Sequence, residues 1–312
     1  MPPLVLWLVA CATTPLAPAR THDAYVLERA WSEDLREAVA AGDEVLDGFR
    51  VQAVAVDHAT WTLPDDVLPT LAGRRATPVA RIEAGARVDA SLGRVLGSVV
   101  NRWRALGVKV DAVEVDHDCP IASLASYADA LAEVREALPR DVALWVTVLP
   151  GWLDAPQAVK RVRTAVDGTV LHVHAVEASL GSPHFDPDAA EQWVRRYAAL
   201  GSRPFRVALP VRGVHVDADG RLAASDQGMP VAAAPDDERT LLGALRQAPP
   251  RGWVGTDWAA VPAKRGGWTV QALASVLGTG PANDGVADAA SGRCSVAPAE
   301  GEGCEAAEAP AP

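Results

Sequence analysis

Three carboxylates stand at every second position of one short segment, Asp111–Asp118, which reads DAVEVDHD. Glu114, Asp116 and Asp118 alternate with valines and a histidine, and this period of two predicts a β-strand with the three acids on one face. Like charges this close resist joint ionisation, so we expect at least one acid to hold its proton near neutral pH. Such a group could donate a proton to a leaving oxygen, as in an acid–base hydrolase.

The same acids also have a purely structural interpretation. A barrel cation such as Arg81 could pair with the deeper acids, which would then only line the core. We favour this interpretation for Glu114 and a functional role for Asp116 and Asp118, which lie nearer the end of the strand. Glu114 and Arg81 remain candidates for substrate binding.

The elements that must position these acids follow a βα alternation. Short β-branched runs separated by stretches of helical period predict strands over Ala24–Leu27, Phe49–Val56, Pro78–Glu83, Val108–Asp116, Val142–Leu149, Val170–Val176, Phe205–Leu209 and Trp253–Asp257. Eight such units predict a single α/β domain, a (β/α)8 TIM-type barrel over residues 22–279 with an irregular first strand. The carboxyl ends of barrel strands hold the active site, so Asp116 and Asp118 should lie at the mouth.

Other polar and aromatic side chains are predicted near the same mouth. Thr147 and Arg206 fall at similar heights on their own strands and could contact a sugar hydroxyl or an acidic substituent. Trp152 follows the fifth strand and Trp258 ends the eighth, where an exposed ring could serve as a platform for a sugar.

His172 and His174 share one strand face. At this spacing they could ligate a metal together with Asp116 or Asp118, hydrogen-bond a substrate, or pack within the fold. We favour packing, followed by substrate contact, and predict neither a cofactor nor a bound metal. The long polar segment Val211–Asp237 is either a lid over the mouth or a surface loop without a role at the site.

The segment Asp111–Asp118 resembles the fourth-strand motif of glycoside hydrolase family 18, D-G-[apolar]-D-[apolar]-D-[aromatic]-E. The resemblance implies that Asp118 is the general acid and that Asp116 orients the substrate acetamido group during substrate-assisted hydrolysis. The chain departs from the motif at four positions. An aspartate replaces the final glutamate, His117 replaces the aromatic residue, and Glu114 and Ala112 replace Asp and Gly.

A longer resemblance links the chain to the bacterial family called domain of unknown function 3142. Its members look like exported barrel proteins related to glycoside hydrolases. The segments that carry the resemblance are Ala24–Val26 with Trp31, Val79–Ile82, Val113–Pro120, Val146–Leu153, Val170–His174 and Pro204–Leu209 with Pro210. They run across most of residues 22–279, so the resemblance implies the same barrel.

The N-terminal residues predict export. Leu4–Ala12 is apolar but far shorter than the ~20 residues of a membrane span, which predicts a signal peptide over residues 1–10. Leu8–Cys11 resembles a bacterial lipobox, which implies a lipidated Cys11 and a linker over residues 11–21. Ala12 after the cysteine resembles the outer-membrane pattern, so we expect an anchored protein facing the periplasm. A plain secretory signal remains the alternative.

Composition excludes some partners. The net charge is −11, from 29 basic and 40 acidic residues, and clustered basic residues are missing, so nucleic acid is not an expected partner.

Residues 280–312 are rich in Ala, Gly, Pro and acids, which predicts a disordered tail. The three cysteines beyond Cys11 predict no disulfide framework, and Cys119 is expected to be a buried thiol.

These features predict a glycoside hydrolase-like lipoprotein that acts on a glycan of the cell envelope, with Asp116 and Asp118 at the reacting bond. A non-catalytic barrel that binds a glycan or the envelope is the alternative, since an aspartate occupies the position of the acid. A metal-dependent hydrolase built on His172 and His174 is the third interpretation.

Overall fold

The computed structural model describes residues 20–56, 60–83, 85–173, 185–210, 235–259 and 270–278, and the backbone of two short strands, Val214–Val216 and Met229–Val231. The chain divides into two units, residues 1–279 and residues 280–312, and every described residue belongs to the first. None of the helices in the described ranges is both long and apolar enough to cross a membrane.

Eight parallel strands form the centre of the fold. They are β1 (Thr21–Val26), β2 (Gly48–Val56), β3 (Ala76–Ile82), β4 (Ala112–His117), β5 (Ala143–Val148), β6 (Gly168–His172), β7 (Phe205–Leu209) and β8 (Trp253–Trp258). Each strand pairs with its neighbours in chain order, and β1 pairs with both β2 and β8, so the sheet closes. The predicted (β/α)8 barrel is therefore confirmed, and each predicted strand overlaps an observed one.

One helix follows each strand and covers the barrel from outside. The helices are α1 (Glu33–Gly42), α2 (Leu68–Leu71), α3 (Ala90–Ala105), α4 (Leu124–Ala137), α5 (Pro156–Ala165), α6 (Pro187–Ala198), α7 (Pro235–Gln247) and α8 (Val270–Leu277). Local sequence explains several boundaries. The Asp186 side chain accepts hydrogen bonds from two backbone N–H groups at the start of α6, ahead of the Pro187 that the sequence predicted as its first turn. Beyond α3, Gly107 adopts a φ of 86°, which favours glycine after a helix.

Three short strands lie outside the barrel. Thr60–Thr62 folds back antiparallel on β2, and Val214–Val216 pairs with Met229–Val231. The latter pair lies within the segment predicted as a long loop, and α7 already begins at Pro235. Strands of three residues contain too little alternation to be predicted from the sequence.

The alternation in β4 places its side chains as predicted. Val113 and Val115 are fully buried in the apolar layer beneath the helices, whereas Glu114 and Asp116 point into the barrel. The interior is tightly filled at the next strands. A Cβ atom at Gly168 of β6 would lie 2.6 Å from the Trp145 ring of β5, so only glycine leaves room for that ring inside the barrel.

Candidate functional site

Arg81 bridges two acids at the carboxyl end of β4. Its Nη1 lies 2.8 Å from Oδ2 of Asp116, and its Nη2 lies 2.6 Å from Oδ2 of Asp118. Burial alone would lower the pKa of Arg81, but the two carboxylates raise it above its ordinary value, so the guanidinium stays charged. We refer to Asp116 and Asp118 as the mouth carboxylates.

The mouth carboxylates differ in exposure. Asp116 is the last inward-facing residue of β4 and is 3% exposed. Its second oxygen, Oδ1, is buried and has no hydrogen-bond partner among the described residues. Asp118 follows the strand, and its side chain is 46% exposed. One acid therefore has a buried acceptor that no group in the described ranges uses, and the other reaches solvent.

Deeper in the barrel lies a group of five charged residues that we call the interior ion cluster. It consists of Asp23, Arg50, Glu114, Arg206 and Asp257, all of them at most 4% exposed. Arg50 lies 2.5 Å from Glu114 and 2.9 Å from Asp257, and Arg206 lies 2.7 Å from Asp257 and 3.4 Å from Asp23. Every charge thus has an opposite partner, the condition under which a barrel interior tolerates ions.

Electrostatics keeps two members of this cluster, Arg50 and Asp23, ionised. Burial alone would lower the pKa of Arg50, but Asp257 and Glu114 raise it well above its ordinary value. Burial alone would raise the pKa of Asp23, but Arg206 and Arg50 lower it overall. Arg50 and Asp23 are therefore fixed charges in the barrel interior.

Neutral hydroxyls complete the coordination of Glu114. Burial, followed by the charge of Glu114, raises the pKa of Tyr25 well above its ordinary value, so Tyr25 keeps its proton. Its hydroxyl donates to Oε1 of Glu114 at 2.8 Å, and Thr147 donates to the same oxygen at 3.1 Å. Glu114 is thus held by Arg50, Tyr25 and Thr147.

Three of the residues predicted as substrate contacts bind partners inside the barrel. Glu114 and Thr147 are 0% exposed and Arg206 is 4% exposed, and all three bind partners inside the barrel. Their side chains are therefore engaged by partners within the barrel. The structural interpretation of Glu114 agrees with the geometry, although its cation is Arg50 and not Arg81.

Neither predicted tryptophan platform is open to a ligand. Trp152 is 2% exposed, because the short 3₁₀ helix Pro150–Asp154 turns its ring inward, where Nε1 donates to the Cys119 carbonyl at 3.0 Å. Trp258 is 0% exposed, with the His22 ring 6.5 Å away. Both rings pack in the core, which is the more common place for a tryptophan.

His172 ends β6 and is half-buried. Its Nε2 lies 3.5 Å from the Tyr25 hydroxyl, and the two rings meet edge to face at 5.8 Å. His174 lies outside the described residues. Within the described ranges, no group of three or more His, Cys, Asp or Glu side chains is arranged to hold a metal ion.

Cys119 is a buried free thiol, as predicted. Burial raises its pKa to about 11, so the thiol holds its proton at neutral pH and is a poor nucleophile.

Sequence reasoning missed Arg50 and Asp257, the centre of the interior ion cluster. A signal was present in β2, where Arg50 and Gln52 alternate with apolar residues just as the acids do in β4. Two polar residues on one face of an otherwise apolar strand indicate an inward polar layer.

The closed sheet of eight parallel strands and its outer helices define a protein of the (β/α)8 barrel class. The sequence profile of the family described as domain of unknown function (DUF3142) matches residues 73–264. The chain belongs to this family, which confirms the longer resemblance found in the sequence.

Solved structures with a similar fold include two enzymes. The spore cortex-lytic enzyme SleL of Bacillus cereus is 11% identical with a TM-score of 0.59, and the alignment covers 85% of this chain and 75% of SleL. A chitinase from Bacteroides thetaiotaomicron is 10% identical with a TM-score of 0.58, over 77% of this chain and 89% of the chitinase.

A third similar structure is a xylanase–α-amylase inhibitor protein. It is 11% identical with a TM-score of 0.50, over 83% of this chain and 99% of the inhibitor. None of the curated protein sequences matches the chain. At these identities the likenesses establish the barrel fold.

Proposed function

We propose that this barrel hydrolyses a glycan, with Asp118 as the proton donor and Asp116 as the carboxylate that binds the reacting sugar. The observation that carries the proposal is the pair of mouth carboxylates on one face at the end of β4, with a buried unpartnered oxygen on Asp116 and a half-exposed side chain on Asp118. Their spacing is also that of the glycoside hydrolase family 18 motif.

The two acids have separate tasks in this proposal. Arg81 fixes Oδ2 of Asp116, so that Oδ1 is oriented to accept an N–H or O–H of the sugar. Arg81 contacts Asp118 through Oδ2, which leaves the second oxygen of that exposed side chain to approach a glycosidic oxygen. In its protonated form, Asp118 then transfers its proton to the leaving oxygen as the bond to the sugar breaks. Water adds to the sugar carbon and returns a proton to Asp118, which completes the hydrolysis.

The test is a hydrolysis assay of the full chain against chromogenic glycosides and envelope polysaccharides. Asp118→Asn preserves the volume but removes the acid, so we expect the rate to fall roughly 10²–10⁴-fold while glycan binding survives. Asp116→Asn should also lower the rate.

Asp129→Asn is the matched control, because Asp129 is an exposed acid paired with Arg161 on the outer face of the barrel. This variant should keep the wild-type rate. If a glycan is hydrolysed and both mouth variants retain full activity, the site assignment is wrong.

A second candidate function is glycan binding without hydrolysis. It is favoured by the ion pair between Arg81 and Asp118, which occupies the proposed acid, and by the shorter aspartate at that position. A barrel of similar fold also occurs in an inhibitor protein. In this case no glycan would be turned over, and Asp116→Asn would weaken binding by about 1–3 kcal/mol, the cost of losing a buried hydrogen bond.

We also propose that the protein acts in the cell envelope, anchored through a lipid on Cys11 to the outer membrane and facing the periplasm. The support is the lipobox-like segment Leu8–Cys11, which lies outside the described residues.

A further inference from the structure

Strand register places Trp61 in one row with the mouth residues. Trp61 lies in the short strand Thr60–Thr62 and pairs with Ala55 of β2. Ala55 in turn pairs with Arg81 of β3. Arg81 pairs with Asp116 of β4, which completes the row. Directly paired residues on neighbouring strands direct their side chains to the same face of a sheet. Trp61 therefore shares the inward face of Arg81 and Asp116.

The row follows the rim of the barrel. Ala55, Arg81 and Asp116 each stand one residue before the end of their strand. Adjacent strands are about 4.8 Å apart, so Trp61 lies roughly 14 Å from Asp116 along the sheet. A ligand at Trp61 would therefore be a different part of the glycan from the sugar at the mouth carboxylates.

Trp61 is half-buried and paired with a cation. The Arg29 guanidinium, in the connection between β1 and α1, lies 5.4 Å from the centre of its ring. Arg29 is exposed, and in the part of the chain that the structure describes it forms no ion pair. Arg81, by contrast, is neutralised by both mouth carboxylates.

This juxtaposition has a defined chemistry. A flat indole provides apolar surface for the C–H face of a sugar ring, and a guanidinium binds a carboxylate through two parallel hydrogen bonds. We propose that Trp61 and Arg29 form a subsite for an anionic sugar, such as a uronic acid, within the bound glycan. The inference rests on the proposed function, in which the ligand is a glycan, and it adds that this glycan contains a negatively charged sugar.

The test measures the affinity of the full chain for two hexasaccharides by calorimetry. Hyaluronan hexasaccharide carries glucuronate, and chitohexaose is neutral. We expect the wild type to bind the acidic probe more tightly, with a preference that shrinks as salt is added.

Two substitutions separate the ring from the charge. Trp61→Ala should weaken binding of both probes about tenfold, and Trp61→Phe should restore most of that loss. Arg29→Gln should weaken binding of the acidic probe about fivefold and leave the neutral one unchanged. Arg94→Gln, which removes an exposed arginine of α3, is the matched control and should change neither affinity.

The results distinguish this inference from the proposed hydrolysis. If no glycan is cleaved but Trp61 and Arg29 govern binding as expected, hydrolysis fails and the subsite stands. If a glycan is cleaved and the Trp61 and Arg29 variants bind like the wild type, the subsite is overturned. Equal affinity of the wild type for both probes, or binding of neither, overturns it as well.

Discussion

At the scale of single residues, Glu238 in the first turn of α7 has the most unusual environment. Its side chain is fully buried, and no other residue in the described part of the chain donates a hydrogen bond to either carboxyl oxygen. Burial raises its pKa to about 8 from an ordinary 4.5. Between these values the folded chain holds a proton that the unfolded chain releases, so the free energy of unfolding should fall as the pH rises through this window.

Glu238→Gln removes this titration while keeping the side-chain volume. We expect the variant to be more stable than the wild type at pH 8, by about 1–3 kcal/mol, with little of that advantage left at pH 4.5. Urea unfolding at the two pH values measures the difference. Glu133→Gln, an exposed glutamate of α4, is the control and should show no such dependence. An advantage that is the same at both pH values would contradict the buried carboxyl as its source.

At the scale of elements, the interior ion cluster holds strands together that are distant in sequence. Glu114 of β4 depends on Arg50 of β2, and Arg50 also binds Asp257 of β8. Three of the eight barrel strands are thus linked through one guanidinium. Breaking such a buried pair from one side leaves an uncompensated charge.

Glu114→Gln tests this link, because it keeps the shape of the side chain and removes its charge. We expect the free energy of unfolding to fall by about 3–5 kcal/mol. Asp129→Asn breaks the exposed pair with Arg161 and should cost less than about 1 kcal/mol. Chemical denaturation of the three proteins gives the comparison. Equal losses in the two variants would mean that the cluster adds nothing beyond a surface pair.

Strands and helices were predicted well from the sequence where a hydrophobic period was visible. The side-chain contacts between them were not predicted. The alternation in β4 correctly placed Glu114 and Asp116 inside the barrel, and the helical period with Gly107 located α3. The pairing of Glu114 with Arg50 depends on the stagger of strands around the closed barrel, which no local pattern contains. The burial of Trp152 does not follow from its position after β5, because it depends on a short 3₁₀ turn that directs its ring to the Cys119 carbonyl.

At the mouth of the barrel, too, some residues could be placed from the sequence and others could not. A period of two brought Asp116 and Asp118 to one end of β4, and the cation that joins them, Arg81, was also a candidate from the sequence. Trp61 was not, because its place in the row follows from the pairing of a strand of only three residues, which is too short to show an alternation. The roles of all these residues in binding and hydrolysis remain predictions.

At the scale of the whole molecule, the lipid anchor is the main prediction that the fold leaves open. If Cys11 is acylated, labelled palmitate should be incorporated into the full-length protein expressed in a bacterium, and Cys11→Ser should abolish the label. Cys119→Ser is the control: its thiol is buried, so this variant should be labelled like the wild type. Labelling that persists in Cys11→Ser would contradict the lipoprotein interpretation. Absence of label from both the wild type and Cys119→Ser, which retain Cys11, would contradict it as well.

The closure of the barrel also fixes when the protein can finish folding. β1 pairs with β2 and with β8, so residues 21–26 gain their second neighbour only when residues 253–258 are present. Until then the growing sheet has two open edges, the surfaces through which strands of separate chains join. A chain that emerges N-terminus first thus remains open to aggregation for nearly its whole synthesis, and its protection arrives with the last strand.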